Sequence, residues 1–195
     1  MIGKVTRKRM DGGSSFKRLI EYIDEAKKAD WHMTSDNIVS LQTAAVEMKL
    51  VADLYTGHGD PVYHLIISWP EGEEPVPAQM EEAVRHTVKA LGYEHHQFVA
   101  SHHRDTGNSH VHAAINKVHP ETFKAHQPRG DFLLIDRAMR EIEIKQGWSH
   151  DRGPFAVEYL GDKPFVLESR DRRLLRQLSQ GALALERYAG VGSFE

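Results

Sequence analysis

Histidine is the residue type whose number and spacing point most directly to chemistry in this chain. The sequence contains 13 histidines, and eight of them lie between residues 95 and 126. His110 and His112 are two residues apart in a predicted strand, so their side chains point to the same face. His103 lies across the turn, at the end of the partner strand, and can converge on the same point. Three imidazoles facing one point are typical of a metal site with open coordination positions.

Several oxygen-bearing side chains near this hairpin could orient metal-bound imidazoles, which need an acceptor for their second ring nitrogen. Candidates for this role are Asp105, Asn108 and Asn116, with Glu47 as a further site carboxylate. The alternative interpretation is a surface hairpin that is rich in histidine and binds no metal. Of the other histidines of this region, His95 and His96 are expected to be surface residues, and a solvent-exposed or structural position is expected for His102, His119 and His126.

Composition narrows the class of protein. The chain has 195 residues, no cysteine and a formal net charge of −3. The lack of cysteine excludes disulfides, thiolate zinc sites and a cysteine nucleophile. No apolar run is long enough to span a membrane. The basic residues near the N-terminus are not followed by the apolar stretch of a secretory signal. The net charge argues mildly against a simple basic nucleic-acid binder, although the N-terminal region is locally basic, with Arg7, Lys8 and Arg9.

The periodicity of apolar residues predicts alternating helices and strands. Strands are predicted at 2–9, 62–69, 97–102 and 109–118, and helices at 16–28, 41–55, 77–91, 132–146 and 167–188. This order indicates an α+β fold, a two-layer sandwich with a mainly antiparallel central sheet and helices packed on it. We expect residues 1–160 to form a catalytic domain and residues 161–195 a basic helical extension that begins a longer C-terminal region.

Three segments carry a family resemblance. Residues 103–117 (HRDTGNSHVHAAINK) match the pattern H-x-D-x-x-N-x-H-x-H-x-x-x-N, which resembles the third motif of MobA-type conjugative relaxases (the MOB-P class of the HUH endonuclease superfamily). Ser68, within residues 64–70 (HLIISWP), resembles their second motif, and Tyr22, within residues 15–23 (SFKRLIEYI), resembles their first. The three segments occur in the order of the family, and the resemblance covers about residues 14 to 120.

Tyr22 is the candidate nucleophile. On its predicted helix it lies away from the apolar stripe of Phe16, Leu19, Ile20 and Ile23, so its hydroxyl can be accessible. A phenol can attack a phosphodiester and leave again as a phenolate. With an ordinary pKa of about 10 it needs help from a base such as Asp105 or from a metal. The resemblance implies that attack yields a 5′-phosphotyrosine bond and a free 3′-hydroxyl.

The resemblance also implies cofactors and partners. One divalent metal ion is expected, Mg²⁺ or Mn²⁺ in the cell and Zn²⁺ or Ni²⁺ as alternatives in a crystal. The expected substrate is origin-of-transfer DNA, single-stranded beside a hairpin, contacted by Ser68, Asn116 and the N-terminal cations. Further expected partners are an accessory relaxosome protein and the coupling protein of a type IV secretion system. The protein is expected in the bacterial cytoplasm, without membrane insertion, and to be transferred with the DNA to the recipient cell.

Three other functions remain open from sequence. A three-histidine metal site could activate water in a nuclease or phosphodiesterase with no covalent step. A rolling-circle replication initiator shares the histidine-rich site, although the position of the tyrosine before the histidines favours a relaxase. A binding module stabilised by a metal would need no nucleophile.

Overall fold

A five-stranded antiparallel sheet forms the centre of the fold. The structure is a computed structural model that describes residues 1–6, 15–25, 29–104 and 107–171. The strands are β1 (Ile2–Val5), β2 (Ala29–Thr34), β3 (Val62–Ser68), β4 (Phe98–His103) and β5 (His110–Asn116). Their spatial order is β1-β3-β5-β4-β2, and every neighbouring pair is antiparallel. The central strand β5 therefore contacts β3 on one side and β4 on the other.

Helices cover both faces of this sheet. They are α1 (Phe16–Ile23), α2 (Leu41–Asp53), α3 (Pro77–Ala90) and α4 (Asp131–Gln146). The helices α1 and α2 pack on the face that carries Ala114, whereas α3 and α4 pack on the face that carries Ala113. The predicted α+β class with a mainly antiparallel central sheet is confirmed. Because helices pack on both faces, the sheet lies between two helical layers rather than in the predicted two-layer sandwich. The central strand β5 is accordingly buried on both faces.

Two features of the fold differ from the sequence prediction. The edge strand β2 was not predicted, and the helix that was expected to reach residue 28 ends at Ile23. A second hairpin follows α4 and consists of β6 (Phe155–Leu160) and β7 (Lys163–Glu168). The helix predicted at 167–188 is wrong at its first two residues, which belong to the end of β7. Residues 172–195 lie outside the part of the chain that the structure describes. The proposed domain boundary after residue 160 falls in the turn of this hairpin.

Local capping explains where the site-bearing helix α1 begins. The hydroxyl oxygen of Ser15 accepts a hydrogen bond from the backbone N–H of Arg18, at 3.4 Å. Such a cap satisfies one of the backbone donors that the first turn of a helix leaves unpaired. At the other end of the fold, Gly147 ends α4 with a φ of 75°, a left-handed conformation that favours glycine. No helix in the described residues is long and apolar enough to cross a membrane.

Candidate functional site

Three histidines converge at one end of the β4–β5 hairpin. His103 and His110 are directly paired across the two strands, and His112 follows on the same face of β5. One ring nitrogen of each lies within 4.8 Å of those of the other two. The ring centroids are separated by 4.6 to 5.5 Å. The structure thus brings together the three imidazoles that the sequence singled out, and we refer to them as the histidine triad.

The second ring nitrogen of each triad residue is engaged by a neighbour. Nε2 of His103 donates to the carbonyl oxygen of Ile23 at 2.6 Å, and Nδ1 of His110 donates to the carbonyl oxygen of Asn108 at 3.0 Å. Because a carbonyl oxygen only accepts, these bonds leave Nδ1 of His103 and Nε2 of His110 with a lone pair. Nδ1 of His112 lies 2.9 Å from Nε2 of His64. A set of imidazoles oriented in this way fits a divalent metal ion.

The environment of His112 keeps its imidazole neutral. The pKa of His112 is lowered to about 3, mainly by burial and also by the repulsion that a protonated His112 would meet from His64, His103, His110 and Lys4. Neutral imidazole is the form of histidine that binds a metal, because its lone pair is free of a proton. At neutral pH, His112 is therefore in the form that a metal requires.

Tyr22 stands beside the triad. Its ring contacts His112 edge-on, with centroids 5.6 Å apart and planes at 88°, and it contacts His103 at 6.2 Å and 69°. Ile20 and Ile23, on the other side of α1, are buried against the sheet, whereas 43% of Tyr22 is exposed. The expected accessibility of this tyrosine is confirmed. The helix thus presents a phenol that solvent reaches next to two of the three imidazoles.

Two further side chains lie on the face of the sheet that carries the triad. Ser68 is directly paired with His110, so its side chain shares that face. Lys4 is paired with Ile66, which is in turn paired with His112, so Lys4 belongs to the same row of residues. Lys4 is exposed. Lys4 could not be identified from the sequence, because only the pairing of β1 with β3 places it near the triad.

Two expected site residues have structural partners instead. Asn116 is fully buried, and its side-chain amide donates to the carbonyl oxygen of Met48 at 3.0 Å. The carboxylate of Glu47 accepts from the N–H of Val39 at 3.1 Å and from the hydroxyl of Thr43 at 2.5 Å. The structure does not support DNA contact by Asn116 or a role beside the metal for Glu47. We expected the side chain of Asn108 to orient a triad histidine. The observed hydrogen bond joins Nδ1 of His110 to the backbone carbonyl oxygen of Asn108.

The positions of four other expected residues are not described. In the sequence, Asp105, the expected base, lies between β4 and β5, and Arg7, Lys8 and Arg9 lie between β1 and α1. All four fall outside the described residues. Their roles remain predictions from sequence.

A hydrogen-bond chain centred on the buried His102 supports the hairpin from the opposite face of the sheet. Nδ1 of His102 is bonded to the carboxylate of Asp30 at 2.5 Å, and its Nε2 to the hydroxyl of Ser109 at 2.6 Å. Asp30 lies on β2, and Ser109 immediately precedes β5. The chain therefore ties the edge strand to both arms of the hairpin. His102 is therefore structural, one of the two roles expected for it. The surface position expected for His96 is wrong, because its ring is buried and bonded to the carbonyl oxygen of Asn116.

Comparisons with known proteins show to which family the chain is similar. A family model for the nuclease domain of MobA/VirD2-like relaxases matches residues 20–148. Protein MobA of Acidithiobacillus ferrooxidans is 37% identical over 139 residues, which are 70% of this chain and 34% of that protein. Two proteins of Escherichia coli named TraI are 33% and 34% identical over 157 and 160 residues, each 77% of this chain and 21% of the relative.

The extent of these matches has two consequences. The chain spans about a third or less of the length of these curated relatives. The family model begins within α1, ends just beyond α4 and covers well over half of the chain. The chain therefore belongs to the relaxase family, as a nuclease domain of the MobA/VirD2-like type.

Proposed function

We propose that this chain nicks and rejoins one DNA strand at a plasmid origin of transfer, with Tyr22 as the nucleophile. The observation that carries this proposal is the edge-on contact of Tyr22 with His103 and His112, two members of a triad suited to a metal. A tyrosine outside the site would be packed against aliphatic residues or exposed away from the triad. Here the nucleophile and the groups that can bind a phosphate-activating ion lie side by side.

The proposed reaction is an in-line displacement at phosphorus. The phenol oxygen of Tyr22 gives its proton to a base and forms a bond to the scissile phosphorus, and the bond from phosphorus to the 3′-oxygen breaks. The departing 3′-oxygen takes up a proton, so the products are a 5′-phosphotyrosine and a free 3′-hydroxyl. We assign Asp105 as the base, on its position in the sequence motif. Attack of a 3′-hydroxyl on the phosphotyrosine reverses the step and rejoins the strand.

The residues of the triad would hold one divalent ion, which we propose to be Mg²⁺ or Mn²⁺. When bound, such an ion neutralises charge on the non-bridging phosphate oxygens. Lys4 and Ser68 line the same face and are proposed to contact the DNA backbone. Phosphate contacts from lysine and serine fix the register of the strand without reading its sequence.

The family to which the chain belongs supports a proposal for the wider setting of the reaction. We propose that the substrate is single-stranded DNA beside a hairpin, bound together with an accessory relaxosome protein. A coupling protein of a type IV secretion system would receive the complex in the bacterial cytoplasm and pass it to the recipient. We further propose that residues 161–195 lead into a C-terminal region, with the β6–β7 hairpin at the junction.

A covalent-adduct assay with two labelling positions tests the proposal. Single-stranded oligonucleotides with candidate origins are incubated with the chain and Mg²⁺ or Mn²⁺, then run on a denaturing gel. A 3′-labelled strand is expected to move with the protein, because the protein holds the 5′ end of that fragment. A 5′-labelled strand is expected to shorten and stay free. Shortened strands without an adduct indicate hydrolysis by water, and no cleavage of any origin contradicts the proposal.

A further inference from the structure

We infer that His64 is a positioning residue of the metal centre, which holds His112 in the orientation and tautomer that metal binding requires. The inference rests on the proposed metal-dependent function and extends it to a residue on a different strand. His64 lies on β3, where it is paired with Ala114, so it is the diagonal neighbour of His112 on one face of the sheet.

The contact between the two imidazoles is close. Nε2 of His64 lies 2.9 Å from Nδ1 of His112, within the range of a hydrogen bond. The ring centroids are 5.1 Å apart, and the planes are tilted by 33°. His112 is 4% exposed, so water does not readily replace this partner.

The direction of this hydrogen bond decides whether His112 can bind a metal. If His64 donated, Nδ1 of neutral His112 would accept, and the proton of His112 would lie on Nε2. Neither nitrogen would then have a lone pair for a metal. If His64 accepts, the proton lies on Nδ1, and Nε2 is open to a metal. We assign the second arrangement, in which His64 is the acceptor.

His64 differs from the other partners of the triad. His103 and His110 are oriented by backbone carbonyl oxygens, which no substitution removes. His112 is oriented by a side chain, so the metal affinity depends on the residue type at position 64. His64 is not itself a ligand in this arrangement. Among the described residues, the group whose donor atoms lie within 4.8 Å of one another consists of His103, His110 and His112.

Metal affinity is the property that loss of His64 changes most directly. Removal of an outer-shell partner of a metal-binding histidine typically lowers metal affinity by about 10- to 100-fold. We expect His64→Phe, which keeps a ring but has no acceptor, to weaken Mn²⁺ binding by a factor in this range. His64→Gln keeps an acceptor oxygen at a similar distance from the backbone and is expected to restore most of the affinity.

Calorimetric titration with Mn²⁺ tests these expectations on the 195-residue chain. The matched control is His58→Phe, because His58 is exposed in the loop before β3, at the end of the sheet away from His110. Thermal melting of each variant reports folding. Unchanged affinity in His64→Phe, or an equal loss in His64→Phe and His64→Gln, overturns the inference and leaves the proposed function standing. No Mn²⁺ binding by the unsubstituted chain contradicts both.

A second measurement requires no substitution. Long-range ¹H–¹⁵N correlation spectra of the metal-free chain at neutral pH distinguish the two tautomers of each neutral histidine. We expect His112 to carry its proton on Nδ1. A proton on Nε2 of His112 would show that His64 donates, and it would overturn the inference whatever the variants do.

Discussion

Nε2 of His103 donates a hydrogen bond of 2.6 Å to the carbonyl oxygen of Ile23, the residue that follows Tyr22. The last carbonyl groups of a helix have no partner within the helix. In α1, one of them is bound by a member of the triad. The helix that carries the proposed nucleophile is therefore hydrogen-bonded to the triad, although 80 residues of sequence separate His103 from Ile23.

Lys4 is predicted to contribute to DNA binding as a contact to phosphate. In Lys4→Ala we expect a several-fold weaker affinity for single-stranded DNA. The slope of log affinity against log salt concentration is expected to fall in magnitude by about 1, as for the loss of one phosphate contact. Fluorescence anisotropy over a range of salt concentrations, in EDTA to prevent cleavage, measures both. Lys89→Ala is the matched control, because Lys89 lies on α3, on the opposite face of the sheet. An unchanged slope in Lys4→Ala would exclude the contact.

Asn116 is predicted to matter for stability rather than for DNA contact. Its buried side chain bonds the carbonyl oxygen of Met48 and the backbone N–H of Val118. Asn116→Ala leaves these groups without that partner, and we expect a loss of about 2 kcal/mol in the free energy of unfolding. Chemical denaturation measures this loss. A variant of full stability that binds DNA poorly would restore the role we expected from sequence.

His96 makes folding stability depend on pH. Burial lowers its pKa to about 4, although its hydrogen bond to the carbonyl oxygen of Asn116 acts in the opposite direction. The unfolded chain binds a proton at position 96 below the ordinary pKa of about 6.5, and the folded chain does so only below about 4. Stability is therefore full above pH 6.5 and falls as the pH drops from 6.5 to 4.

Glutamine at position 96 removes this titration. His96→Gln keeps a donor for the Asn116 carbonyl, and we expect its stability to fall by roughly 2 kcal/mol less than that of the unsubstituted chain between pH 7 and pH 5. Urea unfolding at both values gives the comparison. The control is His95→Gln, because His95 is its exposed neighbour. Identical pH dependence in His96→Gln and the unsubstituted chain would contradict the prediction.

His110 is predicted to be needed for chemistry and not for folding. It is partly exposed at the start of β5, so His110→Ala removes a ligand without opening a large cavity. We expect loss of the covalent adduct and of Mn²⁺ binding, with a circular dichroism spectrum like that of the unsubstituted chain. His86→Ala, on α3, serves as the histidine control. Full adduct formation by His110→Ala in EDTA would refute the metal assignment.

Local patterns were enough to predict the centre of the site. The spacing of His110 and His112 requires only the alternation of a strand, and the position of His103 requires only that the two strands form a hairpin. Tyr22 could be placed on the open side of α1 from helical periodicity. The family resemblance then joined segments that local patterns alone could not bring together.

The remaining parts of the site depend on pairing between distant strands. His64 and Lys4 become neighbours of the triad only through the register of β3 with β5 and of β1 with β3. Alternation along β5 places Asn116 on the face of the triad, but the packing of α2 that buries it cannot be predicted from alternation. The edge strand β2 was missed although its six residues alternate between apolar and polar, with Trp31 and Met33 packed against the core, so the alternation could have predicted it.

The covalent attachment of DNA to Tyr22 is the central claim, and a comparison of two tyrosine variants tests it most directly. Tyr22→Phe removes the phenol oxygen, whereas Tyr159→Phe removes that of an exposed tyrosine on β6. Both variants are incubated with 3′-labelled origin DNA and Mn²⁺, and the adduct of the unsubstituted chain is digested and mapped by mass spectrometry. We predict the DNA remnant on Tyr22, no adduct or nick with Tyr22→Phe, and normal adduct with Tyr159→Phe. Nicking by Tyr22→Phe at the normal rate would contradict the account.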